Sequence, residues 1–257
     1  MKKEKIYHIL VINPILQSEF DETDREFFVK KATPPFKIEV ESLKQGPASI
    51  ESHYDEVLAA PFVVKKVVEA EQHGFDAVVI NCFLNPGMHA SREVVDIPVI
   101  GPGEAAIQLA LLVGNGFSII DPGPRKYVSY TPTEQVRGMG VLSRFVSVRG
   151  AGIAVLEITK NMNRTIEVIG KQAEMAVKKD GADVIVLGCT GLAGLAPKIQ
   201  KMAGVPVIDS ALAALRVAEA LCRLELSHNR MAYPKPPEKT RKLPSTMRVT
   251  LEMKKMC

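Results

Sequence analysis

The sequence predicts an α/β protein of two pseudo-symmetric lobes, each a mostly parallel four-stranded sheet with helices on both faces, and an active site between the lobes. Residues 74–83 (GFDAVVINCF) recur as residues 181–190 (GADVIVLGCT), with a cysteine eight residues after the glycine in both segments. Short β-branched runs alternate with helical patterns, which is typical of a parallel sheet covered on both faces. A repeat of roughly one hundred residues is too long for a solenoid and indicates duplication of a whole lobe.

Two further matches occur in the same order around the cysteines. Residues 97–100 (IPVI) correspond to residues 205–208 (VPVI), and residues 10–14 (LVINP) correspond to residues 118–122 (SIIDP). We therefore expect the same order of elements in both halves.

The first half is interpreted as four strands joined by helices. Residues 6–12 are apolar and β-branched, as expected for a strand that is buried on both faces. Asp21, Glu22 and Asp24 open a helix that Pro34 and Pro35 close. The elements that follow are a strand at 36–40, a helix at 57–73 that ends at Gly74, a strand at 77–80, a short helix at 90–95 and a strand at 99–100.

The second half repeats this order. Its elements are a strand at 116–120, a long polar segment at 122–144, a strand at 145–149, a helix at 162–179 and strands at 184–187 and 205–208. Helices at 104–112 and 210–226 are expected to cross between the lobes. Lobe 1 then comprises residues 1–101 plus 209–227, lobe 2 comprises residues 102–208, and residues 228–257 form an extended basic tail. Residues 247–255 (MRVTLEMKK) alternate weakly and could form a strand on a neighbouring subunit.

Composition excludes several classes of protein. The chain has 257 residues and a net charge of +4, and residues 235–257 carry seven Lys or Arg against two Glu. The remainder is close to neutral, so we expect no nucleic-acid partner. No apolar stretch reaches transmembrane length, so we expect no membrane partner. Four cysteines without short paired spacings resemble neither a disulfide framework nor a zinc site, which favours a cytoplasmic protein without a metal.

Two of these cysteines, Cys82 and Cys189, each follow directly on a predicted strand. In open parallel sheets, ligands bind beyond the carboxyl ends of the strands. A pseudo-twofold relation between the lobes would place the two thiols on opposite sides of one cleft, which suits inversion at a carbon atom. Backbone N–H groups in the loops that follow could lower the pKa of each thiol toward neutrality.

Structural explanations compete with this chemistry. A lone cysteine at a strand end is more often part of the core than a catalyst, but a pair at equivalent repeat positions favours function. Cys222 and Cys257 are interpreted as incidental, and His89 as a surface residue. Asp121 could bind the substrate or orient a thiol, or it could cap the turn that Pro122 begins. Glu104 could simply begin its helix.

Four strings resemble the hydantoin racemase branch of the aspartate/glutamate racemase superfamily. They are residues 81–93 (NCFLNPGMHASRE), 98–106 (PVIGPGEAA), 184–196 (VIVLGCTGLAGLA) and 205–215 (VPVIDSALAAL), and the resemblance extends over most of residues 5–226. It implies a cofactor-independent racemase that commonly forms homo-oligomers, with Cys82 and Cys189 as acid and base. By the same resemblance, Asn13 and the backbone amides of Phe83 and Thr190 hold the substrate.

This chain departs from the family pattern at several positions, which bear on its substrate. Leu84 and Asn85 stand where the first cysteine loop usually carries an acidic residue, and Asp121 with Pro122 replaces consecutive threonines. Gly191 replaces the histidine of glutamate racemases. We include Asn85, Asp121 and Gly191 among the substrate-binding candidates.

The leading hypothesis is racemisation or epimerisation of a small ring compound at a carbon beside a carbonyl, such as a 5-substituted hydantoin or a related ureide. Three other activities of the same fold are alternatives: amino-acid racemisation of the aspartate/glutamate type, decarboxylation of the arylmalonate type, and maleate isomerisation. A non-catalytic two-lobed binding protein, in which the thiols merely line a pocket, is an alternative of another class.

Overall fold

The computed structural model describes residues 5–17, 20–124 and 130–242. In the first half the elements are β1 (Tyr7–Leu16), α1 (Phe20–Lys31), β2 (Phe36–Leu43), α2 (His53–Gln72), β3 (Ala77–Ile80), α3 (Met88–Val94), β4 (Val99–Ile100) and α4 (Pro102–Val113). In the second half they are β5 (Phe117–Asp121), α5 (Thr131–Gly138), β6 (Phe145–Gly150), α6 (Met162–Met175), β7 (Val184–Leu187), α7 (Ala196–Ala203), β8 (Val207–Ile208) and α8 (Ser210–Arg223).

The strands form two four-stranded sheets of the same order, β2-β1-β3-β4 and β6-β5-β7-β8. All pairings within them are parallel. The repeat extends to single hydrogen bonds, because Val78 N–H donates to Pro98 O and Ile185 N–H donates to Pro206 O, both at 2.9 Å. The predicted fold class of two parallel four-stranded sheets is therefore confirmed.

Alternation along the central strands distributes their side chains between three apolar clusters. Ile9 and Val11 of β1 face a cluster that both halves share, whereas Leu10 and Ile12 face a cluster that belongs to the first half. The β7 strand alternates in the same way between the shared cluster and one in the second half. Side chains that point to opposite faces of a doubly covered sheet are all buried, which explains the continuous apolar runs in the sequence.

Helices α4 and α8 supply much of the shared cluster. The α4 helix packs against β7 and β8, α8 packs against β3 and β4, and the two helices pack against each other. Each crossover helix therefore lies on the sheet of the half that it enters, as we expected. The lobe boundaries at 101/102 and 208/209 stay a prediction.

Several elements differ from those that the sequence predicts, among them the helix α7 at Ala196–Ala203, whose bounds the sequence analysis did not predict, and the three described next. The polar segment at 122–144 contains α5, in which the buried residues are Pro132 and Val136, too few to produce a helical period in the sequence. The β1 strand continues past Pro14 to Leu16 through a shift in its pairing with β2. The helix predicted at 162–179 ends at Met175, and a π-helical turn follows at Ala176–Asp180.

The start of the predicted tail is docked on the first sheet. His228 Nε2 accepts a hydrogen bond from Val99 N–H at 2.8 Å, and Arg92 Nη1 donates to the hydroxyl of Tyr233 at 3.1 Å. Arg230 donates to the carbonyl oxygen of Arg92 at 2.9 Å and pairs with Asp96. Residues 228–242 form no helix or strand, and the extent of the tail stays a prediction. The rest of the tail, with the weak strand pattern at 247–255, lies outside the described residues.

Candidate active site

Both candidate catalytic cysteines lie just beyond the carboxyl end of a central strand. Asn81 N–H donates to Ile12 O and Gly188 N–H donates to Ile120 O, both at 2.8 Å, so each sheet is extended by one residue before the cysteine. A turn then follows in each half: Asn85 N–H donates to Cys82 O at 3.0 Å, and Leu192 N–H donates to Cys189 O at 3.1 Å. The repeated sequence therefore forms the same cysteine turn twice.

The two turns meet at one cavity. Its volume is about 100 Å³, which limits the occupant to a small molecule. Seven of the predicted site residues line it: Asn13, Cys82, Phe83, Asp121, Cys189, Thr190 and Gly191. Since β1, β5 and both cysteine turns contribute to the lining, the cavity lies between the two halves.

Burial raises the pKa of both cavity thiols. Each cysteine retains some surface accessible through the cavity, but the sulfur is surrounded by protein, and this burial raises the pKa of Cys82 to about 12. Backbone N–H groups of Leu84 and Asn85 act in the opposite direction. Burial also raises the pKa of Cys189 well above its usual range, and the negative charge of Asp121 adds to this effect. The N–H groups thus lower the thiol pKa as predicted, but loss of solvent outweighs them.

A polar cluster next to Cys82 was missed by the sequence analysis. Asn81 Nδ2 donates to Asn13 Oδ1 at 2.8 Å and to Asp24 Oδ2 at 3.2 Å. Burial raises the pKa of Asp24 to about 7, against the opposing effect of its hydrogen bonds to Asn13 and Asn81. Asp24 entered the sequence analysis only as one of the acidic residues that open the helix. Its spacing of four residues from Phe20 and from Phe28 places it on the buried face of α1 and could have identified it.

Asp121 caps the turn at Pro122, which was one of its two predicted roles, and it also lies at the cavity. Its Oδ1 accepts a hydrogen bond from Gly123 N–H at 2.8 Å, which stabilises the turn at Pro122. Asp121 also lines the cavity, where burial raises its pKa to about 7.

The prediction that Asn85 lines the substrate cavity is wrong for its side chain. Asn85 has a φ of 55°, a left-handed conformation that asparagine tolerates better than most residues. The side-chain Oδ1 of Asn85 accepts from Gly103 N–H at 3.2 Å, at the start of α4, and Asn85 is not among the residues that line the cavity. Only the backbone N–H of Asn85 acts on the Cys82 thiol.

Thr190 connects the two cysteine turns directly. Its Oγ1 donates to Asn81 O at 3.0 Å, and the bond is buried. The residue after one cysteine is therefore held by the residue before the other, which couples the positions of the two thiols.

The remaining walls combine apolar and acidic side chains. Ile15, Phe20, Ile50 and Val155 form apolar surface, and Glu51 and Thr131 also line the cavity. These residues lie outside the sequence segments that match between the two halves, so the repeat did not indicate them.

Other candidates lie away from the cavity. Cys222 is buried in α8, with Sγ 3.8 Å from Asp76 O, and Cys257 lies outside the described residues. His89 is exposed, as predicted, and Glu104 pairs with Arg92. Within residues 5–17, 20–124 and 130–242, no cluster of His, Cys, Asp or Glu could hold a metal ion. In the same residues, no helix has the length and hydropathy needed to cross a lipid bilayer.

Known proteins are similar to this chain in sequence and in fold. The profile of a family described as Asp/Glu/hydantoin racemase matches residues 9–218. The hydantoin racemase of Paenarthrobacter aurescens is 37% identical over 235 residues, which cover 90% of this chain and 98% of that protein. The allantoin racemase from Klebsiella pneumoniae is 32% identical with a TM-score of 0.85, over 92% of this chain and 96% of that one. An arylmalonate decarboxylase structure, 18% identical with a TM-score of 0.60 over 84% of this chain and 92% of that one, shares the fold alone.

Proposed function

Because the chain belongs to the Asp/Glu/hydantoin racemase family and is a racemase, we propose that it inverts C5 of a 5-substituted hydantoin or a related ureide. Cys82 and Cys189 exchange the proton. One observation carries this proposal: two thiols, delivered by equivalent turns of a duplicated fold, line a single cavity.

In the reactive form one thiol has first lost its proton to solvent, because the pKa of both is raised, so one sulfur is a thiolate and the other a thiol. The thiolate takes the proton from C5, and the electrons of the C–H bond move into the adjacent carbonyl to give an enolate. The opposite thiol then protonates C5 on its other face, which regenerates the carbonyl and leaves a thiolate on that side. The charge of the enzyme is unchanged, and no cofactor is required.

The enolate oxygen needs hydrogen-bond donors that are in place before the reaction. We assign this role to the backbone N–H groups of Phe83 and Thr190, the residues that directly follow the two cysteines and line the cavity. The contact between Thr190 Oγ1 and Asn81 O supports this assignment, because it holds one donor segment against the other half.

The charge of the cavity favours a neutral substrate. Asp24 and Asp121 both have pKa values near 7, so each carries partial negative charge at neutral pH. A substrate carboxylate of an amino acid, a malonate or a maleate would be repelled by them. A hydantoin ring is uncharged at that pH, and two relatives of this chain are named for hydantoin and for allantoin, a hydantoin with a ureido group at C5.

Chiral chromatography of an enantiopure hydantoin or allantoin tests the proposal. Cys82→Ser and Cys189→Ser should each reduce the rate of interconversion at least about a hundredfold, the usual contribution of a positioned acid or base. Cys222→Ser is the matched control, because this thiol lies outside the cavity, and it should leave the rate unchanged. A serine at position 82 or 189 that retained the full rate would contradict the mechanism.

We also propose that the enzyme works as a homo-oligomer in the cytoplasm. The family resemblance supports the first statement, and four cysteines without a disulfide framework support the second. Sedimentation velocity and cell fractionation test them.

A further inference from the structure

Asn81 has a buried acceptor that the protein leaves unused. The residue is only 6% exposed, and it lines the cavity. Its Nδ2 donates to two acceptors, Asn13 Oδ1 and Asp24 Oδ2, which fixes the orientation of the amide. Its Oδ1 has no hydrogen-bond partner among the described residues. A buried polar atom without a hydrogen-bond partner is energetically costly, so a ligand with a donor at this position would bind more tightly.

Asp24 provides a second acceptor beside it. The carboxyl group is 7% exposed, lines the same cavity and lies 3.2 Å from Asn81 Nδ2. As a carboxylate it offers only acceptors, two oxygens with about four lone-pair directions. Its hydrogen bonds with Asn81 and Asn13 leave part of this capacity free.

We propose that Asp24 and Asn81 form a specificity subsite that accepts a urea-type N–H group of the substrate. The inference rests on the proposed function and deepens it, because it identifies the feature of the substrate that the enzyme recognises. Two adjacent acceptors next to the Cys82 turn match a group with N–H donors near the carbon that is inverted. A substrate with oxygen or carbon at that place would leave Asn81 Oδ1 unpaired and the free lone pairs of Asp24 without a donor, which a site with buried polar groups penalises strongly.

Two parts of the substrate can supply this chemistry. In a hydantoin without a substituent on N1, the atom N1 is bonded to C5 and carries a hydrogen. Allantoin also has an exocyclic ureido group at C5. The probes are therefore allantoin, a 5-alkylhydantoin, and the oxazolidine-2,4-dione with the same 5-alkyl group, in which oxygen replaces N1–H.

The test compares the wild type with Asp24→Asn for all three probes. The variant keeps the size of the side chain, and Asn81 and Asn13 can continue to bond to its amide oxygen, which turns an N–H toward the position of the former acceptor. Loss of a charge-assisted hydrogen bond should raise KM roughly tenfold or more for substrates with the recognised donor, with a smaller change in kcat. Glu22→Gln, an exposed position on the same helix, is the matched control and should change neither parameter.

The set of probes for which Asp24→Asn raises KM decides whether the subsite exists and which donor it binds. A rise in KM for both hydantoins but not for the oxazolidinedione supports the subsite with N1–H as donor. A rise for allantoin alone supports it with the ureido group as donor. An equal rise for all three probes, or none, overturns the inference. The binding of each probe is also measured by calorimetry. If the probes bind with this pattern but are not racemised, the subsite is supported and the proposed function is contradicted.

Discussion

Replacing Asp24 by asparagine should stabilise the protein at alkaline pH and have little effect at acid pH. Asp24 lies on the buried face of α1, and burial raises its pKa in the folded state to about 7. In the unfolded chain the pKa is about 3.9. The folded state therefore binds the proton more tightly, and this contribution to stability is complete below pH 4 and is lost as the pH rises through 7.

The size of the effect follows from the two pKa values. The difference of about three pH units corresponds to about 4 kcal/mol between full protonation and full ionisation, of which roughly 3 kcal/mol falls between pH 5 and pH 8. An asparagine has no charge to lose, so the wild type should become less stable relative to Asp24→Asn by this amount. Asp121 also has a raised pKa, but it is present in both proteins, so its contribution cancels in the difference.

Urea unfolding of both proteins at pH 5, 6, 7 and 8 measures the difference directly. Glu22→Gln is the control on the same helix, because Glu22 is exposed and its surface pair with Arg25 should contribute less than about 1 kcal/mol at any pH. If the free energies of unfolding of wild type and Asp24→Asn differed by the same amount at pH 5 and pH 8, the reasoning about burial of Asp24 would be refuted.

Two further predictions concern Cys189 and the docked C-terminal segment. Asp121→Asn should lower the pKa of Cys189, so iodoacetamide should alkylate Cys189 several-fold faster in the variant than in the wild type at pH 8. At pH 5 the two rates should be equal, because Asp121 is protonated there. Peptide mass spectrometry measures the rates, and equal rates in the two proteins at pH 8 would contradict the prediction. Arg92→Met leaves Glu104 without its buried partner and removes the contact with Tyr233, so urea unfolding should show a loss of about 3 kcal/mol, whereas a loss below about 1 kcal/mol would contradict the role of the pair.

The repeat predicted the part of the fold that positions the thiols. Because Cys82 and Cys189 follow equivalent strands, their convergence required only that both halves be parallel sheets of the same order. The neighbours Phe83 and Thr190 were expected from the family resemblance, and both line the cavity.

Side chains that depend on local backbone geometry could not be predicted in this way. The side chain of Asn85 bonds to Gly103 N–H instead of lining the cavity, a contact that no pattern of polarity indicates. Asp24 was interpreted only as a marker of the start of α1, although its spacing of four residues from two buried phenylalanines places it on the buried face of the helix. The α5 helix was missed because it buries few apolar residues, so its sequence has no clear period.

Hydrogen–deuterium exchange by single-cysteine variants tests the two-thiol mechanism most directly. Each enantiomer of the substrate is incubated in deuterium oxide with wild type, Cys82→Ser or Cys189→Ser, and incorporation at C5 is followed by NMR. If the thiols act from opposite faces, the wild type exchanges both enantiomers and each variant exchanges one, the two variants with opposite preference. Variants that exchanged the same enantiomer, or both enantiomers equally, would show that the two sulfurs do not act on opposite faces of the carbon.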